Sequence, residues 1–318
     1  MLQFEFRPLY RRRAPRFNVQ AEIYDMGVGS QLRYTPSRPN LVRFALKRHS
    51  LALVSAVAVL ISLVTSVLTG CAAVPAGTET VRVMTYNIHH GEGMDGKVDL
   101  ERVALVIIEA EADLVALQEV DVGTSRTGGV DQAVRLGELT GMHSAFAKFM
   151  DYEGDEYGLA MLSKMPIEEI TRIPLPPGKR EPRAALAVRT TLSGHVSPIV
   201  FVSLHFDWLR DDAERFAQAQ SLIEQLGDED LPIILAGDFN DTPDSRTMQL
   251  MFVSFKNADK PEDDRFTFSS TEPRREIDFV VYRPGDAFAG SAWVVDEPMA
   301  SDHRPVVADL VYDADWPR

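Results

Sequence analysis

The sequence predicts an α/β fold in which helices cover the β-sheets. Two observations carry this prediction. Short apolar, β-branched runs alternate with segments of helical spacing over about 240 residues. Neither an internal repeat nor a low-complexity tract interrupts the alternation.

The elements follow in order. VRVMTYNI (81–88) reads as a buried strand that ends in polar residues. LERVALVIIEAEA (100–112) reads as a helix, with Leu100, Val103, Val106 and Ile107 on one face. DLVALQEV (113–120) is a second buried strand, and DQAVRLGELTG (131–141) a helix stopped by Gly141. Strands are predicted at 157–163, 183–191 and 197–206. A helix over 211–227 and a strand over 231–240 come next. Strands at 276–283, 291–296 and 305–312 complete the set. The connection 255–275 is long for a structureless loop, and such loops often contact substrate.

Composition excludes several classes. A hydrophobic content of 45% with 25% charged residues rules out a disordered or fibrous chain. With Cys71 as the single cysteine, neither an intramolecular disulfide nor a cysteine-cluster metal site can form. The net charge of −14 is unevenly spread. Residues 1–70 carry ten basic and three acidic residues, leaving 71–318 with 23 and 44, so a long polyanion such as nucleic acid is the less favoured partner.

The charge changes sign across an uncharged apolar run, Leu51 to Leu68, preceded by Arg43, Lys47 and Arg48 and ending in Leu68-Thr69-Gly70-Cys71. Basic flank, apolar run and small residues make a secretory signal. The terminal tetrapeptide resembles a bacterial lipobox, which implies lipidation of Cys71 and a membrane-anchored lipoprotein of the cell envelope, facing away from the cytoplasm. An uncleaved signal anchor is the alternative, since the run sits at the lower edge of a spanning length. The expected organisation is thus an N-terminal extension over 1–42 (disordered, or read from too early a start, with Met26 a later one), a signal or anchor over 43–70, a linker over 72–79 and a catalytic domain over 80–318.

Chemically competent side chains gather where the apolar strands begin or end: Asn87, Glu119, His205, Asp238, Asn240, Asp278, Asp302 and His303. A buried strand holds its last residue rigidly, which suits catalysis. Singly, such an Asp or Asn is usually a turn residue or a helix cap. Together they offer hard oxygen ligands, suited to Mg²⁺, Mn²⁺ or Ca²⁺ rather than zinc, and histidines without a nucleophilic Ser or Cys elbow. That inventory suits water activated for phosphoryl transfer.

At these same residues the chain resembles a known group. MTYNIHHG (84–91), LVALQEVD (114–121), VSLHFD (202–207), ILAGDFNDTP (234–243), EIDFVV (276–281) and SDHRPV (301–306) match, in order, the motifs of the endonuclease/exonuclease/phosphatase superfamily. The resemblance implies a DNase I-like four-layer α/β sandwich of two mainly antiparallel, mixed sheets flanked by helices. It implies a divalent-metal-dependent phosphoester hydrolase using Mg²⁺ or Mn²⁺. By the same resemblance Glu119 binds the metal, with Asn87 and Asp302 as further contacts. Asp238 positions or deprotonates the attacking water, Asn240 donates to a phosphate oxygen, His205 and His303 flank the scissile phosphate, and Asp278 orients His303.

A second tier is read from loops between the motifs. Arg126, Tyr157, Glu181 and Arg183 are expected on the substrate side, where cations could clamp a phosphate. Thr267 and Phe268 are candidates for the leaving-group pocket, and Trp208 for its mouth or for the core. His89 and His90 either face substrate or are solvated, and His143 and His195 match no motif.

The proposed tether and the acidic chain favour lipid head groups or small extracytoplasmic phosphoesters as substrate. KREPRAAL (179–186) and the motif spacing also look like the carboxy-terminal domain of glycosylphosphatidylinositol-remodelling proteins. A DNase I-like nuclease is the alternative enzyme, and a non-catalytic envelope binding module the alternative of another class. A monomer is expected.

Overall fold

The computed structural model describes residues 78–195 and 197–313. The signal, lipid-attachment and N-terminal extension readings at 1–71 lie outside the described residues, as does most of the linker. Twelve strands are present: β1 (Thr78–Asn87), β2 (Leu114–Val122), β3 (His143–Tyr152), β4 (Asp155–Ser163), β5 (Glu169–Pro174), β6 (Ala184–Thr191), β7 (Pro198–His205), β8 (Ile233–Asp238), β9 (Lys256–Asn257), β10 (Asp278–Arg283), β11 (Phe288–Val294) and β12 (Val306–Asp313). Four α-helices join them: α1 (Leu100–Glu109), α2 (Gln132–Thr140), α3 (Ala213–Gln225) and α4 (Arg246–Ser254). β1 thus begins two residues before the expected domain start, with Thr78 and Glu79 paired to Asp313 and Tyr312.

The strands form two six-stranded mixed sheets, β11-β12-β1-β2-β4-β3 and β5-β6-β7-β8-β10-β9. Each sheet has one parallel pair at its centre, β1 beside β2 and β7 beside β8, and is otherwise antiparallel. The inner faces share one apolar layer, in which Val83, Leu114 and Leu159 meet Leu186, Phe201, Ile234 and Val280. α1 and α2 cover the outside of the first sheet through Val103, Ile107 and Leu136. α3 and α4 cover the second through Leu222, Met248 and Met251. The layering is helix, sheet, sheet, helix, the four-layer sandwich that the motifs imply. Among the described residues no helix is long and apolar enough to cross a membrane.

Local chemistry sets the ends of these elements. The Asp99 side chain accepts the Arg102 N–H at the start of α1, and Asp131 accepts the Val134 N–H at the start of α2. Gly141 closes α2 in the left-handed conformation. α1 stops at Glu109, three residues short of its expected end, where Ala110 caps it and Glu111 turns to positive φ.

Among the strands and α-helices, four have no counterpart in the sequence pattern: β3, β5, α4 and the short β9. β5 is an edge strand with only Ile173 buried, so it carries no apolar signal. β3 alternates Ala145, Ala147 and Phe149 inward, with alanines too small to mark the period. α4 is started by the Ser245 side chain accepting the Met248 N–H, inside a segment dominated by its turn residues. The connection 255–275 is not structureless: it contains β9, and Phe268 forms bridges to Arg275 and His303.

The two parallel pairs end beside one another, which fixes the register around Gly237. A Cβ at this position would run into the Leu204 carbonyl oxygen on β7, one residue from His205. Gly237→Ala should lower the unfolding free energy by about 1–3 kcal/mol, measured by urea denaturation. An unchanged midpoint would show that β8 shifts freely against β7.

Candidate active site

The ends of the central strands deliver one side chain each to a common point, the Asp238 carboxylate at the end of β8. Asp238 is 1% exposed. Its Oδ2 accepts the Asn87 Nδ2–H from the end of β1 at 3.2 Å. The His205 Nε2, at the end of β7, lies 3.4 Å from the same oxygen, and His303 Nε2 lies 3.6 Å from it. Oδ1 accepts the Asn240 backbone N–H at 2.8 Å. β10 runs antiparallel to β8 with Asp278 directly opposite Asp238, and Asp278 Oδ2 accepts from His303 Nδ1 at 3.0 Å.

Glu119 reaches the site through a break in the ladder. β2 pairs with β4 up to Gln118 and resumes at Val120, leaving Glu119 as a bulge at φ 59°. Asn87 bridges it to Asp238: its NH₂ donates to Glu119 Oε1 at 3.0 Å, and its Oδ1 accepts the His89 N–H at 3.1 Å. Two carboxylates on one side and an N–H on the other allow only this orientation of the amide. Asn87, expected as a metal contact, therefore meets Glu119 as a donor.

The two histidines carry different charges. Arg183, 2% exposed, donates from Nη1 to His205 Nδ1 at 3.3 Å and from Nη2 to Glu181 Oε2 at 2.6 Å. Arginine is only a donor, so His205 Nδ1 holds the lone pair and Nε2–H points at Asp238. Burial, then the positive charges of Arg183 and His303, push the His205 pKa well down and keep it neutral. Burial also disfavours the His303 cation, but the Asp278 and Asp238 carboxylates outweigh it and hold its pKa up to about 10. Burial first, then the Asp278 charge, push Asp238 up to about 7 against the pull of His303.

These residues floor a cavity of about 380 Å³, within the range of small-ligand sites. Glu119, Asp238, Asn240, His205, His303 and Asp302 line it, together with Tyr157, Glu181, Arg183 and Phe268. Trp208 is 47% exposed at its edge, not part of the core. Arg275 also lines the cavity and was missed. Its only signal is a cation just before the EIDFVV strand.

Two expected lining residues are elsewhere. Arg126 is held bidentately by the buried Asp121, at 2.7 and 2.8 Å, with its guanidinium 4.0 Å above the Tyr152 ring, and it does not line the cavity. Its partner, two residues past Glu119, outcompetes a substrate-side placement. Thr267 is fully buried, and its hydroxyl accepts the Ile277 N–H.

Among the described residues, two clusters have metal-ligand spacing: His89, His90 and Glu119, and Asp238, Asp278 and His303. In the second, the protonated imidazole already lies between the two carboxylates and offsets part of their charge. Asp302 falls in neither cluster. Removing the Asp278 charge should therefore lower the pH at which His303 loses its proton. The imidazole signals of Asp278→Asn, followed by NMR with a chelator present, should titrate below those of the wild type. Equal titration would show that Asp278 does not hold the cation.

Comparison with known proteins fits this geometry. A model of the endonuclease/exonuclease/phosphatase family matches residues 84–303. A UPF0294 protein of Vibrio cholerae is 29% identical over 209 residues, covering 64% of this chain and 69% of the relative. The structure of an endonuclease/exonuclease/phosphatase from Beutenbergia cavernae superposes with a TM-score of 0.59 at 26% identity, covering 73% of this chain and 72% of that one. The human Nocturnin catalytic domain with bound sulfate has a TM-score of 0.58 at 19% identity over 73% and 94% of the two chains. A mannosyl-6-phosphatase from Bacteroides thetaiotaomicron gives 0.58 at 17% over 73% and 100%. At those identities the last two likenesses are of fold alone. The family match runs from the first strand of the site to His303, and the chain belongs to the endonuclease/exonuclease/phosphatase family, a family of hydrolases.

Proposed function

We propose that the chain hydrolyses a small phosphoester with a divalent cation, Mg²⁺ or Mn²⁺ among those to test, held at Glu119. The observation that carries this reading is the meeting of Asp238 Oδ2 with Asn87, His205 and His303 beside Glu119. The donor set fits a cation: the Glu119 carboxylate is partly exposed, faces the cavity, and has two ring nitrogens nearby. A bound cation supplies charge neutralisation for the phosphoryl oxygens.

The remaining work falls to the chain's own residues. Asp238 accepts the proton of a water aimed at phosphorus. His303, protonated, and His205, a neutral donor, face the phosphoryl oxygens from two sides, and the second amide N–H of Asn240 adds a donor. Asp278 keeps His303 charged and oriented. Arg183 and Arg275 supply further positive charge along the cavity wall.

The volume of the cavity and the exposed Trp208 at its edge support a head-group-sized substrate, a lipid phosphodiester or a small soluble phosphoester, over a polynucleotide. The lipobox-like Leu68-Thr69-Gly70-Cys71 supports a place on the outer side of a membrane.

The full-length chain in detergent should hydrolyse members of a panel of sphingomyelin, phosphatidylinositol, inositol phosphates and a generic phosphodiester. Chelation should abolish turnover, and added Mg²⁺ or Mn²⁺ should restore it. Asp238→Asn should cost about 10²–10⁴-fold in kcat, as for loss of a general base, with little change in melting temperature. Full activity in chelator would overturn the metal-dependent reading, and salt-sensitive nicking of plasmid DNA would favour a nuclease.

Metabolic labelling with an alkyne fatty acid should mark the wild type and not Cys71→Ser. Labelling of both would place the lipid elsewhere.

A further inference from the structure

The turn that follows β1 holds an unexplained pair of histidines. His89 and His90 adopt φ of 47° and 46°, a left-handed conformation uncommon outside glycine, asparagine, aspartate and histidine. Such strain persists only where the surroundings impose it. One nitrogen of each ring and a Glu119 oxygen lie within 4.8 Å of one another.

One residue, Glu92, meets both rings. His89 Nδ1 lies 3.2 Å from the Glu92 carbonyl oxygen, and His90 Nε2 lies 3.3 Å from its carboxylate. A carbonyl oxygen only accepts, so His89 Nδ1 carries a proton and Nε2 a lone pair. The carboxylate likewise makes His90 Nε2 the donor and leaves the lone pair on Nδ1. That Nδ1 is buried and has no hydrogen-bond partner, on a side chain 10% exposed. A buried acceptor without a partner is costly. An imidazole that donates one N–H to a carbonyl or carboxylate has its tautomer and ring orientation fixed, as metal-ligating histidines do.

We propose that His89 and His90 join Glu119 as ligands, making a two-imidazole, one-carboxylate site that takes a transition-metal dication in preference to Mg²⁺. This rests on the metal-assisted reading above and changes its cation. Imidazole nitrogen is a good ligand for zinc, cobalt and iron and a poor one for Mg²⁺, which keeps oxygen ligands and water. Glu119 also lines the cavity.

Co²⁺ alone tests the site, added to the full-length chain in detergent and followed by visible absorption and proton NMR. The wild type should bind Co²⁺ at least about tenfold more tightly than Mg²⁺. It should also show hyperfine-shifted N–H signals from two coordinated imidazoles, protected by their bonds to Glu92. His89→Gly and His90→Gly keep the backbone free to hold positive φ. Each should lower Co²⁺ affinity at least about tenfold and remove one shifted signal. Mg²⁺ affinity should stay within about twofold.

The wild-type spectrum decides even if a variant fails to fold: absence of shifted imidazole signals with Co²⁺ bound overturns the proposal. So does a folded glycine variant that keeps wild-type Co²⁺ affinity. Turnover of the same samples separates the two readings. Imidazole-bound Co²⁺ in a chain that hydrolyses no member of the phosphoester panel with Co²⁺, Mg²⁺ or Mn²⁺ would sink the proposed function and leave the metal site. Chelator-sensitive hydrolysis without imidazole coordination would do the reverse.

Discussion

A buried carboxylate governs the arrangement of this protein. Asp238 sits at 1% exposure, where an unpaired charge would cost several kcal/mol. Its donors come from other parts of the chain: Asn87 from β1, His205 from β7, His303 from the segment before β12 and the Asn240 N–H from the turn after β8. No single element can satisfy it. The two sheets have to be brought together with the ends of their central strands aligned, and the packing layer between them provides that alignment. Polar residues below the site extend the constraint: Gln118 accepts from Thr85 within the first sheet and donates to Ser203 of the second at 3.3 Å.

The topology explains why the ends converge. Each sheet has a single parallel pair at its centre, so two strands of each sheet finish at the same edge. With the sheets face to face, four strand ends lie around one point, and β10 enters there from the opposite direction to add Asp278. Backbone irregularity then sets the finer aim. Among the described residues, four of the six non-glycine residues with positive φ are His89, His90, Glu119 and Asn240, all at this edge. The strain is concentrated where side chains must leave the regular ladder, consistent with a site held in place by the sheets rather than by its own loops.

Much of this was legible in the sequence. The apolar runs of β1, β2, β7, β8, β10 and β12 mark themselves because both of their faces are covered, and the polar residue at each end stands out against them. β5 and β3 stayed hidden because an exposed edge or a file of alanines carries little periodic signal. In the site, residue identities could be read and partnerships could not. Nothing near Arg126 in the sequence distinguishes a substrate clamp from a partner of Asp121, since the choice depends on how the loop folds back over Tyr152 and Tyr157. Likewise the two histidines after Asn87 could face either substrate or solvent until the turn brings Glu92 against both rings.

The distinction between His205 and His303 is of the same kind and matters most for the chemistry. Each lies beside an apolar strand, and although the resemblance pairs Asp278 with His303, nothing in the sequence sets a buried arginine behind His205. The fold places a buried arginine behind one and an aspartate behind the other. Arg183 takes up the Nδ1 lone pair of His205 and repels a proton, whereas Asp278 accepts from Nδ1 of His303 and holds a proton. Asp238 therefore faces one neutral donor and one cation rather than two equivalent imidazoles. In the proposed hydrolysis that asymmetry divides the labour. The cation can offset charge on a phosphoryl group and give up its proton to a departing oxygen, while the neutral ring can only orient and donate a hydrogen bond. The difference arises from the residue behind each ring, Arg183 or Asp278, so charge states at this site depend on the second sheet's packing as well as on the two histidines themselves.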